Sequence, residues 1–376
     1  MPKFVIAPDS FKECLSSGEA AEAIERGIRS ACPRAETVVL PVADGGEGTL
    51  EAITRPSERV FRTVTGPYGA PVRACYGMRG KTAVVEMATA AGLTLAPAKE
   101  RRAAAATTYG VGELIRHAME QGAEKVLLTA GGSATNDGGC GMAAALGVVF
   151  TRPDGSAFLP TGGTLAEIGA IDVKNSIFAH THCKFTVATD VRNPLLGEHG
   201  ATRMFGRQKG ADEADLDAME AGMAHCAGLW DRICGKRVEL VPGAGAGGGI
   251  AVPLLAIAGA EIVSGIEAVL SAVGFADAVR GADAVLTGEG KTDRQSLFGK
   301  TVGGVVRAAG AVPVVAFSGC LGDAEEDLLP LGLQKIVTVR SLASSDEDSI
   351  RNAARYLEML GERFAKEWIE RGRMSV

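Results

Sequence analysis

Short apolar runs alternate with amphipathic helical patterns at both ends of the chain, and this alternation limits the possible folds more than any other feature. Phe4 to Pro8 predicts a buried strand, a helix capped by Ser16 or Ser17 follows, and Thr37 to Val42 predicts the next strand. A strand–helix–strand order of this kind indicates a parallel sheet within an α/β fold.

The same pattern returns near the end of the chain. Three further strands are predicted at Ala282 to Thr287, Val312 to Phe317 and Lys335 to Val339, with a helix at Gly303 to Ala309 and a long amphipathic helix over 350–369. Two early and three late strands predict one doubly wound parallel sheet of five strands in the order 2-1-3-4-5.

The middle of the chain has a different pattern and predicts a second domain. Its candidate strands follow one another with only turns between them, at Val60 to Val64, Val72 to Tyr76 and Ala83 to Met87. A chain of 376 residues is also longer than one core usually supports. We therefore expect an inserted α+β domain over 59–271, and a discontinuous α/β domain formed by 1–58 and 272–376.

Composition excludes several classes of function. The net charge of −6 gives no basic surface for nucleic acid or for an anionic membrane. The N-terminal segment lacks the apolar core of a secretory signal, and the longest apolar stretch, Ile250 to Ala260, is too short to span a bilayer. Eight cysteines without a CxxC pair suit reduced thiols. The sequence predicts a cytoplasmic protein with a small-molecule partner.

A glycine-rich loop follows the predicted strand Val126 to Thr129. Backbone amides at such a strand–loop–helix junction can bind a phosphate or a carboxylate, and this loop adds hydroxyl, amide and carboxylate side chains. The alternative is a tight turn that binds nothing. The candidate binding residues are Gly131, Gly132, Ser133, Thr135, Asn136 and Asp137.

Carboxylates cluster where the strands of the five-stranded sheet end. Asp44 follows the second strand, and Glu289 and Asp293 follow the third; Asp44 and Glu289 are candidate magnesium ligands, although Asp44 could instead cap a helix. The first and third strands flank the switch point of a doubly wound sheet. Three residues after the first strand are therefore expected beside Glu289 and Asp293, namely Asp9, Ser10 and Lys12.

A third cluster combines Asp190, Asn193 and Lys209. The aspartate could accept a proton from an alcohol while the lysine binds a carboxylate or a phosphate; a capped turn with a solvated lysine is the alternative. The run Gly243 to Gly248 matches GxGxxG, but Pro253 interrupts the following helix, so a dinucleotide site is a weak hypothesis there.

Taken together, these segments resemble the bacterial type I glycerate kinase family from the first strand to near the C-terminus. Glu13, Cys14, Lys291 and Arg207 depart from the residues usual in that family. The stretches that carry the resemblance are APDSFKECLS (7–16), PVADGGEGT (41–49), TTYGVGELI (107–115), GGSATNDGGCGM (131–142), DVRNPLLGEHGAT (190–202), FGRQKGA (205–211), PGAGAGGG (242–249) and TGEGKTDRQS (287–296).

The resemblance implies ATP-dependent phosphorylation of D-glycerate, with 2-phosphoglycerate the favoured product. It also implies a flavodoxin-like domain, an inserted domain and an active site in the cleft between them. Phosphoryl transfer needs charge neutralisation and a proton acceptor. We therefore expect Asp190 to accept or orient the hydroxyl proton, Lys12 and Lys209 to neutralise carboxylate and phosphate, and Asp44 and Glu289 to hold Mg²⁺ directly or through water.

Two other classes of function fit parts of the sequence. Two α/β domains closing on a small acid also describe non-catalytic binding proteins, although these normally need an export signal. An oxidoreductase using a nicotinamide dinucleotide at the Gly243 loop is the second alternative. Binding of that dinucleotide, with none of ATP, would favour it.

Overall fold

The computed structural model describes residues 1–12, 14–297 and 300–374, so Glu13, one of the departures noted above, lies outside the described residues. The described chain divides into two compact units. Unit 1 comprises Met1–Asp44, Glu51–Ile53 and Ser264–Val376; unit 2 comprises Gly45–Leu50 and Thr54–Val263.

The strands of the described residues are β1 (Lys3–Pro8), β2 (Glu36–Val39), β3 (Arg59–Thr65), β4 (Pro71–Arg79), β5 (Thr82–Glu86), β6 (Lys125–Thr129), β7 (Val149–Thr151), β8 (Ala157–Phe158), β9 (Ala170–Asp172), β10 (Lys184–Ala188), β11 (Glu261–Val263), β12 (Ala284–Thr292), β13 (Val314–Leu321) and β14 (Lys335–Thr338).

The α-helices of the described residues are α1 (Ser17–Ala31), α2 (Thr49–Ile53), α3 (Ala88–Ala91), α4 (Tyr109–Glu120), α5 (Cys140–Ala145), α6 (Ala201–Phe205), α7 (Glu213–Cys234), α8 (Val252–Ile257), α9 (Gly265–Val273), α10 (Phe275–Ala278), α11 (Arg294–Leu297), α12 (Thr301–Ala309), α13 (Glu325–Leu328), α14 (Asp346–Arg351) and α15 (Ala353–Met374).

Unit 1 contains a sheet of five described strands in the order β14-β13-β12-β1-β2, and every neighbouring pair is parallel. Phe4 to Ala7 in β1 are fully buried, as expected for a central parallel strand covered by helices on both faces. Ser16 caps α1 through a capping box: its Oγ accepts from the Glu19 N–H at 3.3 Å, and Glu19 Oε2 accepts from the Ser16 N–H at 2.8 Å.

Helices α1 and α15 pack very closely on one face of this sheet. A Cβ on Gly27 would lie 1.9 Å from the Glu358 carbonyl oxygen, and a Cβ on Gly361 would lie 2.5 Å from the Ile24 carbonyl oxygen. Both glycines are therefore required for this backbone contact. The helices enclose an apolar core with Phe4, and the rings of Phe4 and Phe364 are 5.4 Å apart.

Unit 2 contains a mixed sheet of six described strands in the order β11-β10-β6-β5-β4-β3. Its β3–β4 and β4–β5 pairs are antiparallel, and the other pairs are parallel. A smaller sheet has the order β8-β7-β9. Trp230 on α7 is fully buried in the unit 2 core, against Phe150 of β7.

The predicted α/β class with parallel strands is confirmed, and several details are corrected. The GxGxxG match at Gly243 does not follow a strand, because Val238–Leu240 before it form a single 3₁₀ turn. The helix predicted over 350–369 is two helices, α14 and α15, separated at Asn352. None of the helices described here is long and apolar enough to cross a membrane.

Candidate active site

A pocket of about 770 Å³ lies in unit 1 at the edge of the sheet where the parallel strands end. All six residues predicted for this edge line it: Asp9, Ser10, Lys12, Asp44, Glu289 and Asp293. They meet because carboxyl ends of parallel strands share one edge of a sheet, which is where doubly wound folds bind ligands.

Asp9 lies directly after β1 and is held by its surroundings. Its Oδ1 accepts from the Ser10 N–H at 2.6 Å, and its Oδ2 accepts a hydrogen bond from the Thr301 hydroxyl. Burial, reinforced by the nearby Asp44 carboxylate, raises the pKa of Asp9 to about 6. The pocket therefore disfavours a second negative charge at this position.

The pKa of Glu289 is also raised above its ordinary value. Burial, together with the Asp9 carboxylate, raises its pKa to about 7, against the lowering effects of Ser296 and Lys300. Its Oε1 is buried and accepts no hydrogen bond from any described residue. A divalent cation would relieve both the repulsion and the unsatisfied oxygen, so the side chains here fit Mg²⁺.

Within the described ranges, no three His, Cys, Asp or Glu side chains form a ready-made metal centre. Magnesium in kinases commonly uses only one or two carboxylates, with substrate phosphates and water completing its octahedron. Asp44 and Glu289 match that pattern of donors. Asp44 does not cap α2, whose N-cap residue is Gly48.

Asp293 is positioned by its own turn. Its Oδ1 accepts from the Ser296 N–H at 3.0 Å, at the start of α11. Three lysines also line the pocket, Lys12, Lys291 and Lys300, and none forms a salt bridge with another described residue. The pocket thus combines carboxylates with cations that are available to an anionic ligand.

In unit 2, the side chain of Asp137 anchors the Gly131 to Asp137 loop through hydrogen bonds. This carboxylate is fully buried and accepts from the Thr108 N–H at 2.7 Å, the Thr108 hydroxyl at 2.8 Å and the Gly141 N–H at 3.2 Å. Burial raises its pKa, and the bonds from Thr108 oppose that rise. Asp137 therefore fixes the loop to α4 and α5.

Lys209 forms hydrogen bonds with the same loop. Its side chain is buried, and its Nζ donates to Ser133 Oγ at 2.9 Å and to the Thr135 carbonyl at 2.7 Å. Burial lowers the pKa of Lys209 to about 7, although Asp137 favours the charged form. The solvated-lysine alternative for this residue is wrong, since the ammonium group points into the protein.

The other predicted residues of unit 2 belong to this loop or follow β10, the strand that pairs with β6. Asn136 is buried and donates to Thr202 Oγ1 at 3.0 Å, whereas the loop tip at Gly132 is exposed and has a φ of 70°. Asp190 is half-buried just after β10, and Asn193 Nδ2 donates to the His199 carbonyl at 2.7 Å.

The Gly243 to Gly249 segment packs against the Gly131 to Asp137 loop and against the turn that follows Asp190. A Cβ on Gly248 would lie 2.0 Å from the Thr135 carbonyl oxygen, and a Cβ on Gly245 would lie 2.2 Å from the Pro194 carbonyl oxygen. These glycines are explained by close backbone packing inside unit 2. The GxGxxG match therefore has a structural cause that needs no dinucleotide.

Three site residues were not singled out from the sequence. Thr301 donates to Asp9; Thr108 donates to Asp137; and Glu86, at the end of β5, accepts from the Gly48 N–H at 3.2 Å and the Leu50 N–H at 2.9 Å. Thr108 lies in a stretch that carries the resemblance, but single polar residues of this kind have no spacing pattern that identifies their partners.

Comparison with known proteins assigns the chain to a family. The sequence matches the Glycerate kinase family over residues 4–369. The chain therefore belongs to the glycerate kinase family. The resemblance predicted from the motifs is confirmed, as is the prediction of an enzyme, a kinase.

Two relatives and one solved structure illustrate the similarity. A Bacillus subtilis (strain 168) glycerate kinase is 44% identical over 95% of each chain. An Escherichia coli (strain K12) glycerate 2-kinase is 42% identical over 93% of this chain and 94% of its own. The crystal structure of a proposed glycerate kinase 2 from Salmonella typhimurium LT2 has a TM-score of 0.87 at 38% identity, with 99% of each chain covered.

Proposed function

We propose that this protein transfers the γ-phosphoryl group of ATP to D-glycerate, with Mg²⁺ as cofactor and 2-phosphoglycerate as the favoured product. The observation that carries the proposal is the unit 1 pocket, where crowded carboxyl groups and three lysines outside any described salt bridge line one cavity. Such a cavity suits a metal-bound polyphosphate. Family membership and the name of the E. coli relative support glycerate and the 2-position.

Asp44 and Glu289 would hold Mg²⁺, which when bound neutralises charge on the phosphate oxygens. Lys12 lines the same pocket and would bind a phosphate oxygen. Asp9, Ser10 and Asp293 would shape the pocket through their turns.

In unit 2, Asp190 would orient glycerate and accept the proton of its attacking hydroxyl. The backbone amides of Gly131 and Gly132 would bind the glycerate carboxylate. Lys209 would add positive charge to that binding loop through Ser133, with which it shares a hydrogen bond of 2.9 Å. Asn193 would support the turn that follows Asp190.

No contact in the described residues favours a nicotinamide-dependent oxidoreductase, because the Gly243 loop is packed against the chain's own backbone. A non-catalytic binding protein is not favoured either, since the chain belongs to a kinase family. The flavodoxin-like domain, the insertion over 59–271, the interdomain cleft and the cytoplasmic location remain predictions.

A coupled assay with ATP, Mg²⁺ and D-glycerate tests the function, and phosphorus NMR of the product identifies the phosphorylated oxygen. We expect turnover of D-glycerate and little turnover of lactate, which lacks the second hydroxyl that a polar site would bind. Equal turnover of lactate would remove the glycerate assignment. Turnover that persists after metal removal would remove the magnesium assignment.

A further inference from the structure

We propose that the base of ATP binds against the apolar side chains Val339, Ile350 and Ala353 of the unit 1 pocket, with its phosphates toward Glu289. This inference rests on the proposed function and assigns to unit 1 one of the two substrates. The ligand class is a nucleoside triphosphate with an aromatic base.

The size of the pocket argues for an extended ligand. Its volume of about 770 Å³ lies in the upper part of the ~300–1,000 Å³ range of small-molecule pockets, far more than a three-carbon acid would fill. Its lining runs from Asp44, which follows β2, to Arg340, which follows β14 at the opposite end of the strand order. Four strand spacings of about 4.8 Å make that edge roughly 19 Å wide.

Polarity changes along this width. The lysines, and all of the lining carboxylates except Asp346, lie within β12, in the segments that follow β1 and β2, or between β12 and α12. Beyond β14 the pocket lining includes three apolar side chains: Val339 and Ala353 are buried, and Ile350 on α14 is 52% exposed. The other lining residues there are polar, namely Arg340, Asp346 and Ser349. The apolar wall formed by Val339, Ile350 and Ala353 suits the face of an aromatic base.

The apolar wall is held in place by its own contacts. Arg340 Nε donates to Asp346 Oδ1 at 2.7 Å, and its Nη1 donates to the Ala343 carbonyl at 3.0 Å. These bonds fix the start of α14, and therefore the position of Ile350, without using a bound ligand. The surface is thus already formed, which reduces the entropy cost of binding.

At the opposite end, Lys12, Lys291 and Lys300 provide positive charge for phosphates. Lys300 also acts electrostatically on Glu289, which places a cation near the proposed metal ligand. A base on the apolar wall and a triphosphate at the charged end match these two parts of the pocket lining. Glycerate is left to the unit 2 residues around Asp190 and the Gly131 loop.

Two measurements test this assignment. The first compares Ile350→Asp with Met359→Asp, a change at a 43% exposed apolar residue of α15 that does not line the pocket. We expect Ile350→Asp to raise the KM for ATP by about tenfold or more, equivalent to ~1.4 kcal/mol, because it removes apolar contact and adds a negative charge. The KM for glycerate should change little, and Met359→Asp should match the wild type.

The second measurement uses the wild-type protein and needs no variant to fold. Photolysis with 8-azido-ATP should label a peptide containing Cys14, Val339 or Ile350, and excess ATP should prevent the labelling. If the label maps to unit 2, or if both variants have the wild-type KM for ATP, the base does not bind here although the kinase function stands. If wild-type protein turns over no glycerate with ATP, the proposed function fails, and this inference fails with it.

Discussion

Burial determines which charged side chains of this protein can act directly on a substrate. Lys209 and Asp137 are both enclosed by the chain and bonded to loop atoms, so we expect them to act through the Gly131 loop and not by direct contact with a substrate. Asp190 is half-buried as a residue, with its Oδ2 enclosed by the protein. Asp190 is therefore the unit 2 residue that we propose for proton transfer.

Asp190→Asn should lower kcat by at least about 100-fold while changing the KM for glycerate little, because an amide keeps the shape but cannot accept the alcohol proton. Steady-state kinetics with both substrates varied would measure this. Glu198→Gln, at an exposed position of the same loop, is the control and should retain wild-type kcat. Near-normal kcat with a lower melting temperature would make Asp190 a structural residue, and the base would be sought at Asp9, Asp44 or Asp293.

Lys209 should make stability depend on pH. Its pKa is about 7 in the folded protein and near 10.5 in a free lysine, so the unfolded chain binds more protons between those values. The free energy of unfolding therefore rises with pH in this window, by at most ~1.4 kcal/mol per pH unit. Lys209→Met has no titratable amine at this position and therefore lacks this pH dependence. The free energy of unfolding of the wild type, relative to that of the variant, should therefore increase from pH 7 to 9.

Urea unfolding at pH 7, 8 and 9 would measure the difference, with Lys184→Met as the exposed control that should show no such trend. Parallel pH curves for wild type and Lys209→Met would show that the buried amine keeps an ordinary pKa.

The Lys209→Met variant should also raise the KM for glycerate, because Ser133 loses its hydrogen-bond donor.

Among the elements of unit 2, the glycine-rich segments act together. The Gly243 to Gly249 segment supports the Gly131 to Asp137 loop, and the Gly138 N–H donates to the Gly248 carbonyl at 3.0 Å. Gly131 in turn packs against Gly46, since a Cβ on Gly131 would lie 2.5 Å from the Gly46 Cα. Glycine is abundant here because three loops approach one another at backbone distance.

Gly248→Ala should destabilise unit 2 and displace the Gly131 loop, because its Cβ would lie 2.0 Å from the Thr135 carbonyl oxygen. Gly235→Ala is the matched control: its φ of 68° is close to the 71° of Gly248, but nothing lies within 4 Å. We expect Gly248→Ala to cost about 1–3 kcal/mol more than the control in urea unfolding. Equal costs would mean that only the backbone conformation matters.

At the scale of the whole molecule, unit 1 depends on both ends of the chain. The N-terminal strands β1 and β2 pair in one sheet with β12, and α15 covers β1 through Leu357, Leu360 and Phe364. Unit 2 has its own core and sheets. Loss of the C-terminal helix should therefore affect the two units very differently.

Deletion of residues 353–376 should abolish cooperative unfolding of unit 1, because it exposes the core around Phe4 and Phe317. Calorimetry should retain the unit 2 transition, and limited proteolysis should leave a protected fragment within residues 54–263. Met359→Ser, at an exposed position of α15, should keep both transitions. A truncated chain that still melts in two transitions would show that unit 1 does not need α15.

The sequence by itself determined the parallel α/β class, the kinase family and the segments that supply the candidate site residues. Apolar strands, capped helices and glycine loops are local patterns, so Phe4 to Pro8 and the Gly131 loop could be recognised from neighbouring residues alone. Its strand boundaries were less secure: β12 extends to Thr292, where the prediction ended at Thr287. Hydrogen bonding with β13 continues that strand through glycines that have no strand preference.

Only the tertiary structure decided which way each polar side chain points and what surrounds it. Lys209 and Ser133 are far apart in sequence yet share a hydrogen bond, and Thr301 reaches Asp9 from the other end of the chain. The pKa values of Lys209 and Asp9 depend on burial and on contacts with residues distant in sequence. Local residue spacing does not reveal either the burial or the distant contacts. The sequence therefore names the chemical groups of each site, and packing determines which of them can meet a substrate.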